Sequence, residues 1–154
     1  MEETAKEAAA STGRTADEVI FLPGGRGRTY EVGPMSAVFK ADGAETDDRY
    51  CVSEWWLEAG QPGPGPHAHE ANEELFYVLE GTMSFLAGEK WIDAPRGSFL
   101  RIPAGTTHDF ENRGDTRAGV LNVFIPGGFE TMMPRIVEYA AGETAADPSG
   151  TQAS

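Results

Sequence analysis

The chain has 154 residues, enough for one domain with a single sizeable core, and its formal net charge is −13. Because 25 acidic residues stand against 12 basic ones, the electrostatic field repels phosphate backbones and anionic lipid heads. We therefore expect neither nucleic acid nor a membrane as a partner. Cys51 is the single cysteine, which excludes an intrachain disulfide. The N-terminus has no apolar core of a secretory signal, so a cytoplasmic location is expected.

Residues 17–141 form the predicted domain, and both ends of the chain are predicted to be disordered arms. Residues 1–16 and 142–154 are rich in Ala, Glu, Thr and Ser and have no apolar stripe to bury. Between them, short apolar runs alternate with turns that contain Gly and Pro, which is typical of an all-β sandwich or barrel. The predicted strands are 18–22, 29–32, 35–40, 50–58, 75–80, 82–86, 90–92, 99–102, 108–111 and 119–125.

One short helix is predicted at the C-terminal end of the domain. Apolar residues recur at helical spacing from Phe129 to Ala140, directly after the breaker Gly127-Gly128. Pro134 fits the first turn of such a helix, where its missing N–H does no harm. No helical stripe separates the strands, which argues against a parallel sheet built from βαβ units.

The three histidines of the chain fall in two compact segments, 63–81 and 97–112. His67 and His69 are two residues apart, so a strand presents both imidazoles on one face. Glu74 opens the apolar run that follows, and His108 must come from a strand distant in sequence. Three neutral imidazoles and one carboxylate suit one divalent transition metal (Fe, Mn, Ni, Co or Zn). Four such ligands leave two positions of an octahedral ion open, and acid should release the metal.

The two segments resemble the two signature motifs of the cupin superfamily. The second segment matches throughout, at Gly97, Pro103, Gly105, His108 and Asn112. The first matches from His67 through His69 and Glu74 to Gly81, whereas its opening glycine is displaced and Gln61 stands at that position. The resemblance implies a double-stranded β-helix, a jelly-roll-like barrel, that holds the metal inside near one mouth.

Glu73 competes with Glu74 for the role of carboxylate ligand. Choosing Glu73 would shorten the spacing after His69 and move Gly81 out of the motif register. Adjacent residues of a strand also face opposite ways, so the sequence favours Glu74 as ligand and a solvated Glu73.

Aromatic and aliphatic side chains around these segments are candidates for an apolar substrate pocket. For each of them, packing in the core is the alternative role. As a group they would suit a flat, weakly polar ligand. Trp55 and Trp56 are adjacent on a predicted strand, so one is expected inside the barrel and the other outside. The candidate pocket residues are Phe76, Val78, Met83, Phe85, Phe99, Phe110 and Phe124.

The first motif and the run 126–130 are most similar to the small quercetinase-like cupins. This resemblance implies a dioxygenase that acts on an enolic or aromatic small-molecule substrate, with Glu74 also accepting the substrate proton. Two alternatives stay open: a non-redox isomerase or polyketide cyclase, and a barrel that only binds a small molecule. A homodimer is expected, because an open sheet edge favours pairing.

Overall fold

The computed structural model describes residues 13–142 and the backbone of Thr151–Gln152. Within these residues most of the regular secondary structure is β-strand. The strands are β1 (Arg28–Val32), β2 (Met35–Ala41), β3 (Cys51–Leu57), β4 (His67–Ala68), β5 (Glu73–Glu80), β6 (Thr82–Ala87), β7 (Lys90–Pro95), β8 (Phe99–Ile102), β9 (His108–Glu111), β10 (Ala118–Ile125) and β11 (Thr151–Gln152).

These strands form two sheets in which the pairs are antiparallel. One sheet has the order β1-β2-β3-β10-β5-β8 and the other the order β11-β4-β9-β6-β7. Neighbours such as β3, β10 and β5 are distant in sequence, so the chain crosses between the sheets as in a jelly roll. The prediction of an all-β, jelly-roll-like cupin barrel is confirmed.

The core lies between the two sheets and follows the alternation of each strand. On β5, Phe76 and Val78 are 3% and 1% exposed, whereas Tyr77 between them is 46% exposed. On β3, Trp55 points inward, and Trp56 lies outside with the Arg117 guanidinium 4.1 Å above its ring. Period-two alternation thus decides which residues reach the interior.

The predicted C-terminal helix is confirmed as α1 (Met133–Ala140), preceded by a 3₁₀ turn (Phe129–Met132). Pro134 stands in the first turn of α1, as expected. Met133 and Ile136 are buried against the barrel, and the helix packs on β1. The helix therefore covers one side of the core. Burial of one such side chain contributes about 1.5–3 kcal/mol to folding.

One predicted strand is wrong. Residues 18–22 contain a short apolar run of the kind that predicts a strand, but they pair with no other strand among the described residues. Val19 and Phe21 are 93% and 82% exposed. An apolar run alone does not make a strand, because the backbone also needs a neighbour to hydrogen-bond. Two short elements were missed, β4 and a 3₁₀ turn at Gly43–Glu45.

The predicted disordered arms fall mainly on residues that the structure does not describe, namely 1–12, 143–150 and 153–154. Within the described residues, Arg14 donates a hydrogen bond of 3.0 Å to Glu45, and β11 pairs with β4. The described helices are all too short or too polar to cross a membrane.

Candidate metal centre

The structure brings together the four side chains that the sequence proposes as metal ligands. His67 on β4 is the register partner of His108 on β9, while Glu74 comes from β5 of the opposite sheet. His69 follows β4 directly. The exposed fractions of His67, His69, Glu74 and His108 are 8%, 7%, 7% and 3%. Their nitrogen and oxygen atoms lie within 4.8 Å of one another.

The alternation of β5 decides between the two glutamates. Glu74 lies on the inner face with Phe76, whereas Glu73 is partly exposed and adjacent residues of a strand face opposite ways. The structure therefore places Glu74, and not Glu73, in the cluster.

A tight loop before β4 positions His67. A Cβ atom on Gly63 would overlap the carbonyl oxygen of Phe110, so only glycine allows this approach of the loop to β9. The backbone N–H of Gly65 donates to Asp109 Oδ1 at 3.1 Å. On the other side, the N–H of Gly105 donates to the carbonyl of His69 at 2.9 Å. These two hydrogen bonds hold the segment that carries His67 and His69 against β9 and the loop that precedes β9.

Backbone carbonyls select the tautomer of two imidazoles. His67 Nδ1 lies 2.8 Å from the Gly65 carbonyl oxygen, and His108 Nδ1 lies 2.9 Å from that of Thr106. A carbonyl oxygen only accepts, so Nδ1 must donate in both rings. In the neutral imidazole this makes Nε2 the acceptor nitrogen, which is the atom that can bind a metal. His108 Nε2 is directed at Glu74, as a metal ligand should be.

With the His108 ring neutral, the closest contact in the cluster joins two acceptor atoms. Glu74 Oε2 lies 2.5 Å from His108 Nε2 and 3.7 Å from His69 Nε2. Glu74 Oε2 and His108 Nε2 are buried, and neither has an aligned hydrogen-bond partner among the described residues. A buried acceptor without a partner costs about 1–3 kcal/mol. A divalent cation between these atoms would remove that cost, so the donor set fits a metal ion.

The charge state of Glu74 suits a metal ligand. Burial raises the pKa of Glu74. The neighbouring histidines, His108 above all, lower it by more than burial raises it, so the pKa lies below its ordinary value. Burial lowers the pKa of His108, and the Glu74 carboxylate raises it more. The carboxylate thus stays ionised in a place where burial alone would protonate it.

Asn122 is a functional residue that the sequence reasoning missed. It lies on β10, is 3% exposed, and its Nδ2 donates to Glu74 Oε1 at 3.1 Å. This bond fixes the carboxylate so that Oε2 faces the imidazoles. A signal was present in the sequence, because Asn122 interrupts an apolar strand on the same face as the buried Val120 and Phe124.

A small cavity of about 50 Å³ lies beside the four ligands, and we call it the inner cavity. Of the predicted pocket residues, Phe76 and Phe110 line it. Phe124 contacts the His69 ring from the side, with centroids 5.1 Å apart. Sequence reasoning missed much of the wall. The full lining is Met35, Trp55, Pro64, His67, His69, Glu74, Phe76, Phe110, Asn122, Phe129 and Ile136.

The other predicted pocket residues lie elsewhere. Val78, Met83 and Phe85 are fully buried in the core, behind the cavity wall. Phe99 is 64% exposed, so its assignment to the pocket is wrong. It lies on β8 one residue before Leu100, and the inward face of that strand is set by the buried Ile102.

Residues 53–124 match the sequence family described as the cupin domain. This stretch runs from β3 into β10 and contains all four clustered side chains. Together with the two antiparallel sheets, the match shows that residues 53–124 are a cupin domain.

Among curated proteins, the chain is similar to quercetin 2,3-dioxygenase of Bacillus subtilis (strain 168), with 38% identity over 65 residues. This match covers 42% of the chain and 19% of the Bacillus protein. A solved structure of a predicted oxalate decarboxylase from Thermotoga maritima superposes with a TM-score of 0.62 at 19% identity, covering 71% of this chain and 99% of that one. KdgF from Halomonas sp. gives a TM-score of 0.64 at 16% identity, covering 74% and 98%. These two likenesses show the shared fold.

Proposed function

We propose that the protein is a small metal-dependent dioxygenase whose substrate, an enol or an aromatic alcohol, chelates a divalent metal held by His67, His69, Glu74 and His108. The observation that carries the proposal is the buried cluster of three imidazoles and one ionised carboxylate beside a largely apolar cavity. The similarity to quercetin 2,3-dioxygenase over 65 residues supports the reaction class. When bound, the metal would supply two open coordination positions and the redox chemistry.

The protein's own residues have separable tasks in this proposal. Among the described residues that line the inner cavity, only Glu74 carries a carboxylate. Glu74 is therefore the acceptor for a substrate hydroxyl proton. Asn122 holds Glu74 by its Oε1 atom and keeps the carboxylate in one orientation. Trp55, Phe76 and Phe110 form an apolar wall that excludes water from the substrate.

Oxygen consumption tests the proposal. Purified protein is stripped of metal, loaded separately with Fe, Mn, Ni, Co and Zn, and mixed in air with a panel of flavonols, catechols and simple enols. We expect oxygen uptake with at least one redox-active metal and no uptake with the metal-free protein. Glu74→Gln should abolish uptake, and the matched neighbour Glu73→Gln should retain it. If no combination of metal and substrate gave oxygen uptake, the proposal would be contradicted.

A further inference from the structure

The inner cavity is much smaller than the substrate that the proposed function requires. A volume of about 50 Å³ admits only a few water molecules, because one buried water needs about 10–15 Å³ measured in this way. Pockets for organic ligands have volumes of roughly 300–1,000 Å³. Part of the wall must therefore move before an aromatic substrate reaches the four ligands.

A second cavity of about 370 Å³ lies on the other side of His69, and we call it the outer cavity. His69 lines both cavities, so the outer cavity leads directly to a proposed ligand. The outer cavity is open to solvent. Its lining is Ala68, His69, Glu70, Ala71, Asn72, Phe124, Gly127, Gly128, Thr131 and Met132.

The ring of Phe129 stands at the boundary of the two cavities. It lines the inner cavity, while Gly127, Gly128, Thr131 and Met132 of the same segment line the outer one. Its centroid lies 5.0 Å from that of Phe124, 6.0 Å from His69 and 6.1 Å from Trp55. The Phe129 ring therefore contacts Phe124 and His69, which both line the outer cavity.

The segment that carries Phe129 belongs to the part of the wall that no strand ladder holds. The rest of the wall comes mainly from strands held by backbone ladders and from α1. In contrast, no residue of the 3₁₀ turn Phe129–Met132 is fully buried. The turn follows Gly128, which has a φ of +107° and open space where a side chain would be. A hydrogen bond from the Gly43 N–H to Glu130 Oε1 at 2.6 Å and a hydrogen bond between the Glu130 backbone and the Cys51 thiol attach the turn to the barrel.

We propose that Phe129 is the gate of the metal centre and the residue that sets the largest substrate. With its ring turned away from His69, the two cavities join into one chamber of about 400 Å³, within the range of organic-ligand pockets. Such a chamber takes a planar aromatic enol or catechol of one or two fused rings. This inference rests on the proposed function, since it concerns the route to the same metal.

Chelator binding to Co(II)-loaded protein tests the gate without using turnover. Azide, catechol and 2,3-dihydroxynaphthalene form a series of increasing size, and stopped-flow absorbance of the cobalt centre gives their association rates. Phe129→Ala and the milder Phe129→Leu should raise the association rate of 2,3-dihydroxynaphthalene at least tenfold. Both variants should leave the association rate of azide within twofold of the unsubstituted protein. Phe129→Trp should lower the association rate of 2,3-dihydroxynaphthalene. Phe99→Ala removes an exposed ring from the outside of the barrel and should change none of these rates.

A second readout needs no metal. In a Trp56→Phe/Trp91→Phe background, Trp55 on the inner wall is the remaining tryptophan. Phe129→Leu should raise acrylamide quenching of its fluorescence severalfold, and Phe99→Ala should not.

Unchanged naphthalene rates and unchanged quenching in folded Phe129 variants would overturn the gate. A protein that shows the size dependence but consumes no oxygen would instead refute the dioxygenase and leave the gate intact. A protein that retains no cobalt would refute the metal centre, and the quenching experiment would still decide whether Phe129 closes the cavity.

Discussion

Replacing Asn122 by alanine removes the hydrogen bond that orients the Glu74 carboxylate while leaving all four proposed ligands in the chain. The Nδ2···Oε1 distance is 3.1 Å, both residues are more than nine-tenths buried, and the acceptor is ionised. A hydrogen bond to a charged group contributes about 1.5–3 kcal/mol. Loss of a residue that orients a metal ligand weakens metal binding by about 10- to 100-fold, which is the same range.

The assay is a competitive titration of metal-free protein with Zn(II) or Co(II) against a chelating dye. We expect Asn122→Ala to weaken metal affinity by about 10- to 100-fold. The control is Asn72→Ala, which removes an asparagine whose exposed hydrogen bond goes to the Pro126 carbonyl and not to Glu74. It should leave the affinity within about twofold, as for an ordinary surface change. An Asn122→Ala protein with unchanged metal affinity would refute the reasoning that Glu74 is oriented by this bond.

Three further predictions concern the ligands and the fold. His108→Ala should abolish metal retention measured by elemental analysis, whereas Glu73→Ala should retain it; a strong loss in Glu73→Ala would overturn the ligand assignment. Burial raises the pKa of Asp42 from 3.8 to about 6. The folded state therefore binds this proton more tightly than the unfolded chain, and the free energy of unfolding should fall as pH rises through that interval, by at most about 3 kcal/mol. Asp42→Asn should flatten the dependence in urea titrations at several pH values, and an unchanged slope would contradict the assignment. Gly63→Ala should lower the midpoint of thermal unfolding by several degrees, because the new methyl group overlaps the Phe110 carbonyl. An unchanged midpoint would show that the loop can shift without loss of stability and would contradict the requirement for glycine.

The sequence was sufficient to propose His67, His69 and Glu74 because short-range strand geometry places these three side chains. His67 and His69 are two residues apart, and Glu74 has the inward parity of β5, so local alternation already places each side chain on one face. The turns rich in Gly and Pro likewise predicted most strand positions within two or three residues. The convergence of His108 with the first segment came from the resemblance to a known family, since no local rule brings β9 beside β4.

What the sequence left open depends on contacts between distant segments. Residues 18–22 contain the apolar run that predicted a strand, yet they pair with no other strand among the described residues, and pairing is a tertiary property. Phe99 and Leu100 are adjacent and both apolar, so only the packing of β8 decides which one faces outward. Asn122 and Phe129 join the site through contacts with residues 48 and 60 positions away, Glu74 and His69. The sequence by itself therefore determined the elements and the donor atoms, and the tertiary structure decided which neighbours orient those atoms and which ring closes the path to them.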